Sequence, residues 1–266
     1  NKVTAWDIES WRSKRHKDGL NITTSNRYIG TLKAMFNRAV EWEIIEHNPI
    51  AKVKKQKSDS RAIVRYLSSD EETRLRASLR SRDRRLAESN PFYAGGRFVI
   101  LKAILGGYPD HIHPMILLLM NTGMRRGEMF NLRWQDVDFN NQRITVVGNT
   151  SKSGQTRYIP LNNEALKVLQ IWQKQTERNS GLIFVGKNGS RFTNIDKAWK
   201  VLLREAKIND FRLHDLRHNF ASRLVSVGVD LNSVRELLGH SDIKMTLRYA
   251  HLAPGRLVDA VAMLNQ

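Results

Sequence analysis

A late tyrosine follows a series of basic side chains whose types suit chemistry on a phosphodiester. Tyr249 comes nine positions after His240 in the segment L-L-G-H-S-D-I-K-M-T-L-R-Y. A phenol can hold a phosphate covalently, and a ring of cations can neutralise the charge of the transition state. The pattern therefore predicts phosphoryl transfer with Tyr249 as the nucleophile. The other segments that carry candidate residues are H-D-L-R (His214, Arg217), S-K-S-G (Lys152) and T-G-M-R-R-G-E (Arg125, Glu128).

The order of these residues resembles the tyrosine recombinases, and the phage-type integrases in particular. The shared order is arginine, lysine, His-x-x-Arg, a histidine after Leu-Leu-Gly, and tyrosine, and the resemblance extends over nearly the whole chain. It implies a mainly α fold with a small antiparallel β-sheet: a helical core-DNA-binding domain followed by a mixed α+β catalytic domain. It also implies a site-specific recombinase that cleaves and rejoins double-stranded DNA without a cofactor, through a 3′-phosphotyrosyl intermediate and a Holliday junction, to integrate or excise a mobile element.

Two arginines are assigned by the resemblance to the scissile phosphate. A guanidinium presents a planar, charged fork that binds two phosphate oxygens, which suits Arg125 and Arg217 to this role. The motif selects Arg125 over its neighbour Arg126. Glu128 resembles a supporting acid that orients the site, and an ion pair on a helix surface is the alternative.

The remaining roles concern protons and hydrogen bonds. The resemblance makes Lys152 the general acid that protonates the departing 5′ oxygen, and an exposed loop lysine is the alternative interpretation. His240 is expected to donate a hydrogen bond to a non-bridging oxygen. His214 either does the same or acts as the base toward Tyr249, because a phenol of pKa about 10 needs a base or a cationic field to attack.

The net charge indicates an extended polyanion as the partner. The 266 residues include 44 Lys and Arg against 26 Asp and Glu, which gives +18 and a pI near 10.4. These charges are spread along the whole chain. Double-stranded DNA is therefore the expected partner.

Several other classes of protein and site are excluded or disfavoured. The chain has no cysteine, so disulfides, thiolate zinc sites and cysteine nucleophiles are excluded. The apolar run at 116–120 is too short for a membrane span and reads as a buried helix. His111 and His113 lie near Asp110 without a recognisable ligand set, so we interpret them as structural and expect no metal site. With no membrane segment, we expect a cytoplasmic, nucleoid-associated protein.

The N-terminal part reads as two amphipathic helices, over 3–17 and 23–45. Asp18-Gly19 would stop the first helix; Thr23 or Thr24 would cap the second, and Asn48-Pro49 would end it. The helices carry basic residues, Arg27 and Lys33 among them. A DNA-facing surface is the preferred interpretation, and a solvated helical face is the alternative.

The segment that follows is basic and lacks periodicity. We place the core-DNA-binding domain at 1–57, an interdomain linker at 58–66 and the catalytic domain at 67–266. Four lysines are predicted to follow a phosphate backbone, and a merely disordered run is the alternative. They are Lys52, Lys54, Lys55 and Lys57.

The catalytic domain is predicted to begin with a helix near Ser69. Residues 80–112 have no functional interpretation beyond helix, turn and helix. The segment 113–132 predicts a buried helix, a turn and a second amphipathic segment, and Asp136-Val137-Asp138 reads as a turn. Strands are predicted at 143–148 and 156–161, with a third at 181–186, and helices at 194–206, 214–227, 230–238 and 242–249.

The ends of the chain carry two further expectations. The chain begins at Asn1, without a methionine and in mid-pattern, which suggests that an additional N-terminal DNA-binding region is missing. An apolar stripe formed by Leu257, Val258, Val261 and Leu264 either folds onto its own domain or docks on a neighbouring protomer. The resemblance favours docking, within a homotetramer on DNA that accessory DNA-bending or directionality factors could assist.

Two rival functions remain open from the sequence. A type IB topoisomerase uses a similar phosphotyrosine set and would relax supercoiled DNA without paired sites. A DNA-binding regulator with idle catalytic residues is the other.

Overall fold

The computed structural model describes residues 3–57, 64–89, 106–148 and 156–253. The chain divides into two compact units, residues 1–63 and 64–266, which are described separately. The predicted linker, 58–66, falls largely outside the described residues. Its bounds, and those of the domains on either side, stay predictions.

The N-terminal unit contains the helices α1 (Ala5–Lys17) and α2 (Ile22–Glu41). Thr4 and Asp7 form a capping box at the start of α1, since each accepts a hydrogen bond from the other's backbone N–H. Asn21 caps α2 by accepting from the N–H of Thr23, so the predicted cap at Thr23 or Thr24 is wrong. The side-chain carbonyl of Asn21 thus gives a partner to the backbone N–H of Thr23, which lies in the first turn and has no partner within the helix.

α2 ends four residues before the predicted limit of 45. The chain reverses at Glu43, whose φ of 57° lies in the left-handed region. The two helices pack over a small core whose buried members are Ile8, Ile29, Ile50 and Val53. The core thus draws in the segment after α2, which explains why the chain folds back.

The C-terminal unit supplies most of the buried surface. Its helices in the described residues are α3 (Ser69–Ser89), α4 (Ile112–Thr122), α5 (Arg126–Asn131), α6 (Asn163–Thr176), α7 (Asp196–Glu205), α8 (Asp215–Ser226) and α9 (Leu231–Leu238). The predicted helix at 242–249 is instead a pair of 3₁₀ helices, Ile243–Met245 and Leu247–Leu252. Part of the segment 80–112 and the whole apolar stripe at 257–264 lie outside the described residues.

A three-stranded antiparallel sheet lies beside these helices. It consists of β1 (Val137–Asp138), β2 (Arg143–Val146) and β3 (Arg157–Pro160), in the order β1-β2-β3. In the register of β2 and β3, Val146 lies opposite Arg157. The mainly α fold with a small antiparallel sheet is confirmed.

The predicted third strand at 181–186 is wrong. Leu182 forms only an isolated bridge with Arg133. The partner segment turns into a 3₁₀ helix at Trp134–Asp136, so the ladder stops after one bridge. The third strand is Val137–Asp138, which the sequence had indicated as a turn.

Two apolar clusters organise the C-terminal unit. The larger lies among α3, α4, α6, α7 and the sheet, and includes the fully buried Leu75, Met115 and Ile159. The smaller gathers α8 and α9 around Tyr249, whose side chain is 1% exposed. The proposed nucleophile is therefore also a core residue.

Within the described ranges, we find no helix with the length and apolarity that a membrane crossing requires.

Candidate active site

Five of the predicted site residues line one cavity of about 620 Å³ in the C-terminal unit. Each comes from the end of an element or from a short 3₁₀ turn, where side chains from different parts of the chain can converge. They are Arg125 before α5, His214 and Arg217 at the start of α8, His240 after α9, and Tyr249 in the last 3₁₀ helix. His218, Gly239, Ser241, Met245 and Arg248 complete the described lining.

Glu128 holds Arg125 in place. Its carboxylate accepts from Nη1 of Arg125 at 2.9 Å and from the backbone N–H of Arg125 at 2.8 Å. Glu128 is 4% exposed, so the alternative of an ion pair on a helix surface is wrong. Burial raises the pKa of this carboxyl, yet hydrogen bonds and charge from Arg157 and Arg125 outweigh burial and hold the pKa below its usual value. Glu128 therefore stays ionised.

Arg217 is held by backbone carbonyls from two different elements. Its Nη1 donates to the carbonyl of Gly123 at 2.9 Å, and its Nη2 donates to that of Leu238 at 2.5 Å. Burial, together with repulsion from Arg125, lowers the pKa of Arg217 to about 9. At neutral pH the guanidinium thus keeps its charge, ready for an anion.

Gly123 and Gly239 provide the turns on which this arrangement depends. Both lie just after a helix in the left-handed region, with φ of 60° and 62°. A Cβ on Gly123 would meet the ring of Phe220 at 2.3 Å, and one on Gly239 would meet Cδ of Arg157 at 2.8 Å. The helix predicted at 230–238 ends at Leu238 and is capped by Gly239, just before His240.

His240 is fixed by a threonine that the sequence did not single out. Its Nδ1 lies 2.9 Å from Oγ1 of the fully buried Thr246. When the threonine hydroxyl donates to Nδ1, the ring proton lies on Nε2, which can then donate to a substrate oxygen. Burial and the nearby Arg217 lower the pKa of His240 to about 3, so the ring is neutral at pH 7.

The hydroxyl of Tyr249 contacts His218 rather than His214. The distance from Nδ1 of His218 to the phenolic oxygen is 2.6 Å. The two histidines are one helical turn apart, with ring centroids separated by 5.3 Å. Burial, and then the charge of His214, lower the pKa of His218 to about 4. His218 is therefore neutral and can accept a proton.

Tyr249 itself is a weak acid in this state. Burial raises the pKa of its phenol to about 12, against the opposing charges of Arg217 and Arg248. Because the pKa of the phenol lies well above that of His218, the proton stays on the tyrosine until a substrate changes the field.

His218 could have been found from its spacing. It lies four residues after His214 and one after Arg217, so all three share one side of α8 or its start. Arg157 gave no comparable signal, because its partners come from distant parts of the sequence. Thr246 lies only six residues after His240, but no regular spacing relates the two.

The other predicted site residues are distributed as follows. Lys152 lies between β2 and β3 in the sequence, outside the described residues. Lys52, Lys54, Lys55 and Lys57 are all exposed, as is Arg27. Lys33 is half-buried, and its Nζ donates to the carbonyl of Ala51 at 2.6 Å, so part of its hydrogen-bonding capacity serves the N-terminal unit itself.

The histidines near Asp110 have structural partners. Nδ1 of His113 lies 2.5 Å from a carboxylate oxygen of Asp83, and the His111 ring packs against Phe192 at 4.1 Å. Across the ranges that the structure describes, no group of three or more potential ligands is suited to a metal ion.

Family comparison turns this geometry into an identification. The phage integrase family model matches residues 107–256, which contain every residue of the cavity lining. The chain belongs to the phage integrase family. A second model, the phage integrase SAM-like domain, matches residues 5–57.

Relatives within and around the phage integrase family agree with this assignment. The integrase of Salmonella phage P22 is 28% identical over 258 residues, which are 92% of this chain and 58% of that protein. Tyrosine recombinase XerC of Xanthomonas campestris pv. campestris is 27% identical over 254 residues, which are 92% of this chain and 69% of XerC. The chain thus spans somewhat more than half of the length of the phage P22 integrase.

Two solved structures share the fold. The XerH site-specific recombinase bound to a palindromic difH substrate has a TM-score of 0.69 at 18% identity, covering 100% of this chain and 73% of XerH. The integrase of transposon Tn1549, in complex with transposon right end DNA, has a TM-score of 0.67 at 22% identity, covering 99% of this chain and 85% of that chain.

Proposed function

We propose that this protein is a site-specific DNA recombinase that integrates or excises a mobile element. The observation that carries the proposal is the convergence of Tyr249 with three arginines and three histidines on one cavity. The chemistry of that set fits a phosphodiester, and the relatives named integrase and tyrosine recombinase favour recombination over the relaxation of supercoiled DNA.

In the proposed reaction the phenolic oxygen of Tyr249 attacks the scissile phosphorus. A bond forms between that oxygen and phosphorus, the bond from phosphorus to the 5′ oxygen breaks, and a 3′-phosphotyrosyl linkage remains. The phenolic proton goes to His218, and Lys152 supplies a proton to the 5′ oxygen. Religation is the reverse reaction with a different 5′-hydroxyl, so the energy of the phosphodiester is conserved and no cofactor is needed.

The cations of the cavity stabilise the transition state. Arg125 and Arg217 would bind the non-bridging oxygens, and His240 would donate to one of them through Nε2. Charge on the protein then takes the place that a metal ion has in carboxylate nucleases. Glu128 is the supporting acid, because it fixes the guanidinium of Arg125.

The proposed substrate is double-stranded DNA at attachment or core sites, in the cytoplasm. Four protomers would exchange strands one pair at a time through a Holliday junction, with DNA-bending or directionality factors as possible helpers. Lys52, Lys54, Lys55, Lys57 and Arg27 are proposed to contact the backbone, with a smaller contribution from Lys33.

Covalent capture on a nicked suicide duplex tests the proposal. A core sequence is selected from a random pool by the adduct that it forms with the wild-type protein. Tyr249→Phe should bind that duplex normally and form no adduct, because the nucleophilic oxygen is gone. The exposed Tyr158 supplies the control, since Tyr158→Phe should keep the adduct yield. An undiminished adduct in Tyr249→Phe would assign the nucleophile to another residue.

A further inference from the structure

Arg157, the first residue of β3, is an internal cation with three fixed contacts. Its side chain is 8% exposed. Nη1 and Nη2 donate to the two carboxylate oxygens of Glu128 at 3.1 and 2.6 Å. Nε donates to the carbonyl of Leu237 at 3.0 Å. A residue at the edge of a small sheet is thereby tied to two helices.

The first of these ties leads to Arg125. Glu128 accepts two hydrogen bonds from Arg125 and two from Arg157, so its carboxylate is shared between the two guanidiniums. Arg157 therefore fixes the carboxylate, and the carboxylate in turn fixes the guanidinium of Arg125.

The second tie leads to His240. Leu237 lies in the last turn of α9, which ends at Gly239 directly before His240. The side chain of Arg157 packs closely against Gly239, where an added Cβ would lie 2.8 Å from its Cδ. Arg217 and Arg125 donate to the next two carbonyls, those of Leu238 and Gly239. Three guanidiniums thus hold the negative end of one short helix.

We propose that Arg157 is a positioning residue for strand cleavage, which acts through Glu128 on Arg125 and through α9 on His240. The inference rests on the proposed recombinase function. Arg157 is not among the described residues that line the cavity, so its contribution comes from the groups that it holds. An error of about 1 Å in such groups is enough to cost on the order of 10²-fold in rate.

An arginine is needed here because two nitrogens must donate to the carboxylate of Glu128 while a third donates to the carbonyl of Leu237. Lysine would keep the positive charge but offers a single nitrogen, which cannot bind both carboxylate oxygens and the carbonyl of Leu237 together. The charge alone would satisfy Glu128 only in part. We therefore expect the charge-conserving variant to fail almost as fully as a neutral one.

The experiment measures single-turnover cleavage of the nicked duplex that was selected by covalent capture. Arg157→Met and Arg157→Lys should each cleave about 10²-fold more slowly at saturating protein, because the phosphate-binding groups are displaced. Duplex affinity should change by no more than about twofold, since the cavity keeps its charges. Arg143→Met, on the neighbouring strand with a half-exposed side chain, is the matched control and should cleave normally.

A neutral substrate separates positioning from a general loss of structure. When a methylphosphonate replaces the scissile phosphate, a neutral methyl group takes the place of a charged non-bridging oxygen. The transition state then carries less negative charge for Arg125 to stabilise. The defect of Arg157→Met should then shrink at least about tenfold, as should that of Arg125→Ala, because both variants lack the same stabilisation of charge. A merely structural defect would be the same on both substrates.

A double variant guards against misfolding. Glu128→Gln combined with Arg157→Met removes both members of a buried pair and leaves no uncompensated carboxylate. If the single variant unfolds, this one carries the measurement, and its defect should again shrink on the methylphosphonate. Because Glu128 and Arg157 act in series on Arg125, the rate defects of their single variants should not multiply in the double variant.

Three results would overturn the inference: wild-type cleavage by Arg157→Met, wild-type cleavage by Arg157→Lys, or equal defects on the two substrates. A wild-type protein that forms no adduct with any duplex in the pool would refute the proposed function instead.

Discussion

His218 lies where it can accept the phenolic proton of Tyr249. Its Nδ1 is 2.6 Å from the hydroxyl of Tyr249, but its pKa of about 4 and the phenol's pKa of about 12 keep the proton on the tyrosine. A phosphate entering the cavity adds a negative charge, which raises the pKa of a nearby imidazole. Substrate binding would therefore strengthen the base at the moment when it is needed.

We predict that His218→Gln slows adduct formation by about 10²-fold at pH 7, the scale expected for loss of a general base. The wild-type rate should also fall as the pH is lowered through the pKa of His218 in the complex, because only the neutral imidazole accepts a proton. That acid limb should disappear in the variant. A pH series of single-turnover rates measures both effects.

The control is His251, which is exposed and two residues from the nucleophile. His251→Gln should keep the wild-type rate and its acid limb. If His218→Gln cleaves as fast as the wild-type protein, the hydrogen bond between His218 and Tyr249 only holds the tyrosine side chain in position, and another residue is the base.

Residue types and their order predicted most of the cavity, but not all of it. Tyr249, Arg125 and Arg217 carry distinctive chemistry that can be recognised along the chain. The sequence left open whether His214 acts as the base toward Tyr249 or donates to the phosphate, and the hydrogen bond to the phenol is made instead by His218, which the sequence analysis did not name. Arg157 was missed for a physical reason, since its function depends on contacts with residues 29 and 80 positions away.

At the scale of elements, the site depends on helix ends rather than on helix bodies. Arg125 and His214 directly precede helices, and His240 comes one residue after the end of another. Helix ends leave backbone groups without intrahelical partners, which is why carbonyls of Gly123 and Leu238 are available to Arg217. The periodicity of the sequence predicted these helices well, because each buries one apolar side.

Elements that depend on distant pairing were harder to predict. The segment 181–186 is apolar enough for a strand, but whether a strand forms depends on its partner. That partner, near Arg133, turns away after one bridge. The short strand Val137–Asp138 exists for the converse reason, since β2 offers it an edge.

Gly123→Ala tests how far the fold depends on one of these helix ends. The left-handed φ of 60° and the 2.3 Å approach to Phe220 should together destabilise the protein by about 2 kcal/mol or more. Gly127 is the matched control: it lies in α5, and its Cβ would meet no atom within 4 Å. Gly127→Ala should be neutral or stabilise by up to about 1 kcal/mol. Urea unfolding of the two variants measures the difference, and equal stabilities would contradict this account of Gly123.

At the scale of the whole molecule, the dominant property is the net charge of +18. A charge of this size attracts DNA whether or not particular lysines touch it, so attraction and contact must be separated by experiment. Contact releases counterions from the duplex, and the salt dependence of affinity counts the phosphates that are neutralised. The four exposed lysines after α2 are the residues for which this distinction matters most.

Replacing Lys52, Lys54, Lys55 and Lys57 together with glutamine should lower the slope of log affinity against log salt. The expected change is about 0.9 for each lysine that contacts a phosphate, with similar losses on specific and non-specific duplexes. The control replaces Lys167, Lys174, Lys197 and Lys200, which are exposed on α6 and α7, and brings the same reduction in net charge. Its affinity should fall only slightly, with the slope nearly unchanged. Equal slopes for the two quadruple variants would mean that the lysines after α2 act through the overall field of the protein and do not touch the backbone.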